Sequence, residues 1–337
     1  MKNKAYDNFL DIILKVPMVE KCDLINKLDK EITVDIELQD GFSFITTIHL
    51  LKNGYPKQIS ELSTHLNDVG YHIVAAPFIS NGAEDVCRSM NIGYIDTAGN
   101  CLFQYHSLYI NILGNKNKEV PKRALKSIFE RSSIVSSKIL REMYQDIDKV
   151  WRLQELADKC NCSLGQIAKV KDFLLNNAWL EQTSQGIQLA KPEELLKEWA
   201  SVYNSKSNEV IECYSLDTIP NLEEKLHQME NDCGIECFLS GFAGGVRYQP
   251  VVRYKKLHCY IAHEDLKEAM EYLQLKKVES GANVALMVPY DDCILEHSRK
   301  INNSRVVDPV QIYLDCMALK GRGEEMADAI WTKEICK

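Results

Sequence analysis

Six side chains in one short stretch of the chain have the chemistry needed to contact a DNA duplex. Hydroxyl and amide groups can hydrogen-bond base edges, and ammonium or guanidinium groups can neutralise phosphates. Groove and phosphate contacts are predicted for Ser163, Gln166, Lys169 and Lys171, with Arg152 and Lys159 nearby on the DNA backbone.

Two amphipathic helices joined by a tight turn would position these side chains. Apolar residues recur at i, i+3, i+4 and i+7 from Leu153 to Cys160, which predicts a first helix with one buried face. Asn161 and Cys162 form the turn. Ser163 is the predicted N-cap of the second helix, and Gln166 completes a capping box. The buried face of the second helix is predicted to comprise Leu164, Ile167, Ala168, Leu174 and Leu175.

A preceding helix and two following strands complete the pattern of a winged helix-turn-helix. Val135, Ile139 and Met143 recur every four residues in the preceding helix. Residues 179–182 and 187–189 are the predicted strands of the wing. Such modules bind DNA, but they also serve in protein docking or dimerisation, so the fold alone leaves both uses open.

The distribution of charge favours the same region. The net charge is −8, yet residues 116–171 carry 13 basic and seven acidic residues, giving +6 there and −14 in the remainder. This asymmetry predicts phosphate binding by the central module. A basic, solvated helix surface is the alternative interpretation.

Length and composition indicate a soluble protein of two or three domains. The chain has 337 residues, of which 45% are hydrophobic and 26% charged. No apolar run approaches the roughly 20 residues of a membrane span, and the N-terminus lacks a signal-peptide cleavage site, so we expect a cytoplasmic protein. The 12 cysteines are expected to be reduced. The C-terminal part contains a cluster of potential metal ligands, namely His227, Cys233, Cys237, His258, Cys259 and His263. Because this cluster contains no C-x-x-C pair, we expect neither a metal nor a cofactor.

The N-terminal part reads as an α/β domain, residues 1–118. Residues 1 to about 30 are predicted to be helical, and residues 56–69 and 82–90 form further helices. Strands are predicted at residues 32–38, 42–51, 72–78, 92–100 and 108–113, with a turn at Gln39, Asp40 and Gly41. A polar linker containing Pro121 leads to the central module, residues 119–200.

The run YHIVAAPFISNGAEDVCRSMNIGYIDTAGN resembles the N-terminal region of AbiEi-like antitoxins and related restriction-endonuclease-like domains. Active members hold a divalent metal with an Asp and a D/E-x-K element, and the matching position here is Leu50-Leu51-Lys52, where the acid is a leucine. The resemblance therefore implies a degenerate, inactive nuclease-like domain. An active nuclease using Asp35, Glu37 and Lys52 with magnesium is the rival hypothesis. Asp96, Gly99 and Asn100 form an unusual cluster beside a strand, and these residue types are equally typical of a turn.

The C-terminal part, residues 201–337, is predicted to be a second α/β domain. Strands are expected at residues 209–214, 236–239, 251–254 and 282–288, and a helix at residues 219–229. Residues 240–245, rich in glycine, are expected to form a loop whose glycines serve close packing. Asp308 is predicted to cap a helix that starts at Pro309.

The phrases VESGANVALMVPYDD and VVDPVQIYLDCMALKGRGEEMADAI resemble the C-terminal domain of AbiEi-type antitoxins of type IV toxin–antitoxin systems. Fold and resemblance together predict an α/β and α+β multidomain protein: a degenerate restriction-endonuclease-like domain, a central winged helix-turn-helix and a C-terminal α/β domain. Family membership implies a non-enzymatic regulator that represses its own operon through double-stranded DNA and antagonises a nucleotidyltransferase-like toxin. A purely protein-binding adaptor is a third hypothesis.

Overall fold

The computed structural model describes residues 4–67, 69–119, 128–129, 134–203, 208–319 and 321–337. The chain divides into two compact units. Residues 1–127 and 171–180 belong to the first, and residues 128–170 and 181–337 to the second. Across the described residues, no helix combines the length and the apolar character required to cross a lipid bilayer.

The first unit is built on one seven-stranded sheet whose strands follow in chain order. Its strands are β1 (Val19–Lys27), β2 (Glu31–Leu38), β3 (Ser43–Leu50), β4 (Tyr71–Ala76), β5 (Gly93–Asp96), β6 (Cys101–Tyr105) and β7 (Leu108–Ile112). β3, β4 and β5 are mutually parallel, and the other neighbours are antiparallel. Its helices are α1 (Lys4–Ile13), α2 (Pro56–Ser63) and α3 (Asn81–Ser89).

Side chains alternate between the two faces of this sheet along each strand, and helices cover the apolar side chains on both faces. Phe9 and Ile13 of α1 join a buried cluster with Ile73 of β4. The next residue, Val74, points to the other face, where it packs in a second cluster with Ala83 of α3. The continuous apolar run of β4 is thereby buried on both sides, as is typical of a parallel strand.

The predicted helix over residues 1–30 is wrong beyond Ile13. Residues 19–27 instead form β1, which pairs antiparallel with β2 at the edge of the sheet. Pro17 separates the two elements, since a proline disfavours helical backbone in the residue before it. The predicted helix at residues 56–69 is also shorter than expected, because α2 ends at Ser63.

Asp96 and its neighbours form a turn rather than a chemical centre. The carboxylate of Asp96 accepts hydrogen bonds from Ala98 N (2.8 Å), Asn100 N (2.9 Å), Asn100 Nδ2 (2.8 Å) and Asn117 Nδ2 (2.8 Å). Gly99 supplies the positive φ of 82° that the turn requires. With its carboxylate saturated by donors, Asp96 holds the segment at Asn117 against the sheet.

The second unit begins with three helices and a hairpin, followed by a larger sheet. The first elements are α4 (Ile134–Tyr144), α5 (Leu153–Lys159), α6 (Leu164–Asn176), β8 (Leu180–Gln182), β9 (Ile187–Leu189) and α7 (Pro192–Val202). The part of α6 from Lys171 onward, with Leu180, is grouped with the first unit.

A mixed seven-stranded sheet occupies the remainder, in the order β13-β10-β14-β12-β11-β16-β15. The strands are β10 (Glu209–Tyr214), β11 (Cys237–Ser240), β12 (Leu257–Ile261), β13 (Lys276–Lys277), β14 (Val284–Val288), β15 (Arg299–Ile301) and β16 (Ser304–Val306). The helices are α8 (Ile219–Cys233), α9 (Gly241–Tyr248), α10 (Leu266–Tyr272), α11 (Pro309–Met317) and α12 (Gly323–Ile330).

Two predictions in this region are wrong. The glycine-rich segment is the start of α9 rather than a loop, and residues 251–254 form no strand, since the strand here is β12. The packing role of the glycines is supported by geometry: a Cβ on Gly244 would lie 2.5 Å from Ile312 Cδ1, and one on Gly245 would lie 2.6 Å from Met326 Sδ. The predicted cap of α11 is confirmed, because Asp308 Oδ1 accepts from Gln311 N at 2.9 Å.

Candidate nucleic-acid interface

The turn between α5 and α6 is fixed by backbone hydrogen bonds. Asn161 adopts a left-handed φ of 49° immediately after the C-cap Cys160. Cys162 N then donates to Ala157 O at 3.0 Å, and Asn161 N donates to Asp158 O at 3.2 Å. This pair of bonds defines a Schellman motif, which ends one helix and sets the direction of the next.

Ser163 and Gln166 form the predicted capping box at the start of α6. Gln166 N donates to Ser163 Oγ at 3.3 Å, and Ser163 N donates to Gln166 Oε1 at 2.9 Å. The Ser163 hydroxyl also donates to Gln166 Oε1 at 3.0 Å. The box satisfies two backbone donors that the helix leaves without a partner, so the start of α6 is held in place by these two side chains.

The four basic residues predicted to contact DNA differ in their surroundings. Lys169 is exposed on α6, and the described residues provide it with no ion pair. The side chain of Lys171 is only 19% exposed and lies 3.9 Å from the Asp172 carboxylate. Lys159 Nζ is 3.1 Å from Glu142 Oε1, whereas Arg152 is an exposed N-cap of α5. Lys169 and Arg152 are therefore the more available cations.

The buried face of α6 agrees with the pattern only in part, because Ala168 and Leu175 are half-buried. Ile167 and Leu174 are fully buried, but Leu164 is 48% exposed and its predicted burial is wrong. Leu164 is the first residue of the helix, and its neighbours Ser163 and Gly165 are also exposed. The side chains of Leu164 and Lys169 thus both reach solvent.

The hairpin of β8 and β9 is attached to the segment that precedes α5. Trp151 N donates to Ile187 O at 2.8 Å, and Ile187 N donates back to Trp151 O at 2.9 Å. A Cβ on Gly186 would lie 2.2 Å from Trp151 O, so this close approach requires a glycine. Lys149 Nζ lies 3.7 Å from the centre of the Trp151 ring. These contacts fix the hairpin beside α5.

Much of the positive charge in residues 116–171 is neutralised within the protein. Ion pairs join Lys138 to Glu296 (2.6 Å), Arg141 to Asp308 (3.3 Å) and Lys149 to Glu155 (2.8 Å), in addition to the Lys159–Glu142 pair. Glu296 and Asp308 lie outside the basic window. Lys122, Arg123, Lys126 and Arg131 lie outside the described residues. The charge count alone therefore overstated the free cations among the described residues of this module.

Arg141 belongs to the basic window for which phosphate binding is predicted, but its role in the structure is to form a buried ion pair. Its side chain is fully buried, and its guanidinium also donates to Gln311 Oε1 at 2.5 Å. Burial lowers the pKa of Arg141, but the Asp308 carboxylate reverses this effect, and the pKa lies above its usual value. Burial raises the pKa of Asp308, although Arg141 opposes the rise. Arg141 thus anchors α4 to α11.

A network of buried hydrogen bonds extends from Gln311 into the sheet. Gln311 Nε2 donates to the hydroxyls of Tyr203 (2.8 Å) and Tyr260 (3.0 Å). Both hydroxyls donate to Asp315, which also accepts from Ser240 Oγ at 2.5 Å. Burial raises the pKa of Asp315, and the hydroxyl donors oppose this. Helices α4 and α11 therefore share one polar core with the sheet.

The residues of the rival nuclease hypothesis do not come together. Asp35 and Glu37 on β2 lie opposite Ile45 and Ser43, at the start of β3. Lys52 follows the other end of β3, and the five residue-to-residue steps from Ile45 to Leu50 alone span about 17 Å. Among the described residues, no group of three or more His, Cys, Asp or Glu side chains is arranged to hold a metal ion.

Comparison with known proteins shows that the C-terminal part of the chain is similar to a family of transcriptional regulators. Residues 188–336 match a family model described as "Transcriptional regulator, AbiEi antitoxin, Type IV TA system". The match begins in β9 and includes the whole of the mixed seven-stranded sheet and α11. It covers somewhat less than half of the chain.

The match to solved structures is much weaker. The structure entitled "Structure of EndoMS in apo form" is 13% identical, with a TM-score of 0.18, and the similarity covers 30% of this chain and 47% of that one. The chain thus spans about half of that protein, and so low a score supports no conclusion on fold or function. No curated protein matches the sequence.

Proposed function

We propose that the protein is a DNA-binding transcriptional regulator that acts as an antitoxin. In this proposal residues 119–200 form a winged helix-turn-helix that recognises double-stranded DNA in the promoter region of its own operon. The protein represses that operon and antagonises a nucleotidyltransferase-like toxin. Residues 1–118 serve as an inactive nuclease-like domain, and residues 201–337 as the C-terminal regulatory domain.

The single observation that carries the DNA-binding proposal is the start of α6. The Schellman turn and the capping box fix this helix after α5, and Lys169 is exposed on it. A helix held in this way can enter a major groove without first being ordered. The match of residues 188–336 to regulators of type IV toxin–antitoxin systems supports the same function.

The test is fluorescence anisotropy of the full chain with a labelled duplex from upstream of its own gene, measured at several salt concentrations. We expect specific binding that weakens with salt, because each neutralised phosphate releases counterions. Lys169→Ala should reduce the magnitude of the salt slope by about 1. Lys171→Ala should have a smaller effect, since Lys171 is mostly buried beside Asp172.

Lys267→Ala is the matched control, because the side chain of Lys267 is 90% exposed on α10, outside the proposed interface. Its salt slope should equal that of the wild type. Unchanged binding and an unchanged slope in the double variant Lys169→Ala/Lys171→Ala would refute the assignment of these contacts. Absence of any shift at physiological salt would refute DNA binding itself and favour the adaptor hypothesis.

A further inference from the structure

The outer edge of β1 is a long, partly apolar strand edge. Among the described residues β1 pairs only with β2, on its other side. It has nine residues, of which only Val19 is buried. Leu24 and Ile25 are each 55% exposed, and Leu28, directly after the strand, is 57% exposed. An edge of this kind offers backbone donors and acceptors together with an apolar surface.

The charges on β1 are balanced. Lys21 forms an ion pair with Asp23 on the same strand. The described residues provide no ion-pair partner for Glu20 near one end of the strand or for Lys27 at the other, although Lys27 Nζ lies 5.6 Å from the Tyr6 ring centre. A strongly acidic or basic partner would therefore gain little from this strand, whereas an antiparallel copy of it would be complementary in charge.

In one register the end charges are complementary and Leu24, which faces Asp23 of the second copy, also comes near an apolar side chain. If Glu20 faces Lys27 of a second copy, symmetry repeats the same ion pair at the other end of the paired strands. Leu24 then lies diagonal to Ile25 of the second copy at the centre, within reach of aliphatic side chains. The irregularities in β1 that follow Val19 and Leu24 leave Glu20 and Ile25 without a partner on β2.

We propose that β1 is a dimerisation edge, at which a second copy of this chain adds its own β1 antiparallel in the Glu20–Lys27 register. Such an interface is isologous, so it closes as a dimer rather than extending into a fibre. The inference concerns the first unit and does not depend on the proposed DNA binding.

Sedimentation velocity of the full chain over 1 to 200 µM, roughly the range in which weak dimers dissociate, is the test. The wild type should show a monomer–dimer equilibrium. Leu24→Glu/Ile25→Glu should be monomeric, since it places four carboxylates at the centre of the paired strands. Leu216→Glu is the matched control, because Leu216 is 93% exposed in the second unit, and it should dimerise like the wild type.

Charge reversal tests the register without altering the apolar residues. Glu20→Lys and Lys27→Glu should each raise the dissociation constant about tenfold, because two cross-strand pairs become like-charged. The double variant Glu20→Lys/Lys27→Glu should restore the wild-type value. A monomeric wild type at all concentrations, or a dimer unaffected by the β1 variants, would overturn the proposal. Loss of dimer in both single reversals without recovery in the double variant would overturn the register.

Discussion

Arg141 and Asp308 lie 167 residues apart in the chain and form an ion pair in which both side chains are completely buried. The pair joins α4 to the N-terminus of α11, where Asp308 also caps the helix. Two buried charges are costly to remove from water, and they stabilise a fold only when each remains paired. The helix that precedes the turn of α5 and α6 is therefore an integral part of the second unit.

Removing one partner of this pair should be strongly destabilising. Arg141→Ala leaves Asp308 and Gln311 buried without their cation, and we expect a loss of about 3–5 kcal/mol in the free energy of unfolding. Lys138→Ala, at the partly exposed pair with Glu296, should cost less than about 1 kcal/mol. Urea denaturation of both variants, followed by circular dichroism, checks the difference, and equal losses would contradict it.

The capping box should contribute measurably to stability. Ser163→Ala removes the acceptor of Gln166 N, and loss of such a cap costs about 1 kcal/mol. Gln166→Ala should add little in the Ser163→Ala background, because the two residues act together. Ser201→Ala, whose hydroxyl only donates to Glu198 O within α7, is the control for thermal denaturation. A cost at Ser201 as large as at Ser163 would argue against a special role for the box.

The buried His49 and the half-buried His258 should make the protein sensitive to acid. Burial, assisted by Lys256 and opposed by Glu212, lowers the pKa of His258 to about 4. Burial also lowers the pKa of His49, an effect that Glu31 opposes and His72 reinforces. Each histidine binds a proton more readily in the unfolded chain than in the folded one. The neutral histidines therefore contribute fully to the free energy of unfolding above pH 6.5, and this contribution falls as the pH drops below 6.5.

Between about pH 6.5 and 5, protonation linked to His258 alone should lower the free energy of unfolding by about 2 kcal/mol. Denaturation of the second unit measured at pH 7 and pH 5 gives this quantity directly. His258→Gln should flatten the dependence on pH. An unaltered pH dependence in His258→Gln would exclude His258 as its source.

Gly244 and Gly245 of α9 should not tolerate a side chain, in contrast to Gly165 of α6. Gly244→Ala places a Cβ 2.5 Å from Ile312 Cδ1 and 2.7 Å from Leu239 O, and we expect a cost of about 1–3 kcal/mol or more. In Gly165→Ala the nearest atom is 3.9 Å away, so this variant should stabilise the helix by about 0.5–1 kcal/mol. If the melting temperatures of Gly244→Ala and Gly165→Ala shifted in the same direction relative to the wild type, this expectation would be contradicted.

Local rules of helix and strand formation predicted the parts of the structure that depend on neighbouring residues. The capping box of Ser163 and Gln166 and the cap at Asp308 follow from side chains three residues away, and both are present. The glycine-rich run after a strand predicts a loop at the start of α9, whereas the packing of Gly244 against Ile312 and of Gly245 against Met326 outweighs the low helix propensity of glycine.

Sequence patterns do not predict contacts between segments that are distant in the chain. Arg141 was counted with the phosphate-binding charges, since nothing near it in sequence reveals Asp308. Similarly, β1 has few buried residues, so the alternation that signals a strand is absent from it, and its conformation follows from pairing with β2. The DNA contacts of Ser163, Gln166, Lys169, Lys171, Arg152 and Lys159 remain predictions.

The burial of the tyrosines around Asp315 affects the ultraviolet absorption of the protein in alkali. Burial raises the pKa of both Tyr203 and Tyr260 well above that of a solvated phenol. We therefore expect their ultraviolet tyrosinate signal to develop at a higher pH than that of exposed tyrosines and to accompany opening of the hydrogen-bonded core around Gln311. The second unit thus contains its own chromophoric reporter of cooperative opening, which requires no attached label.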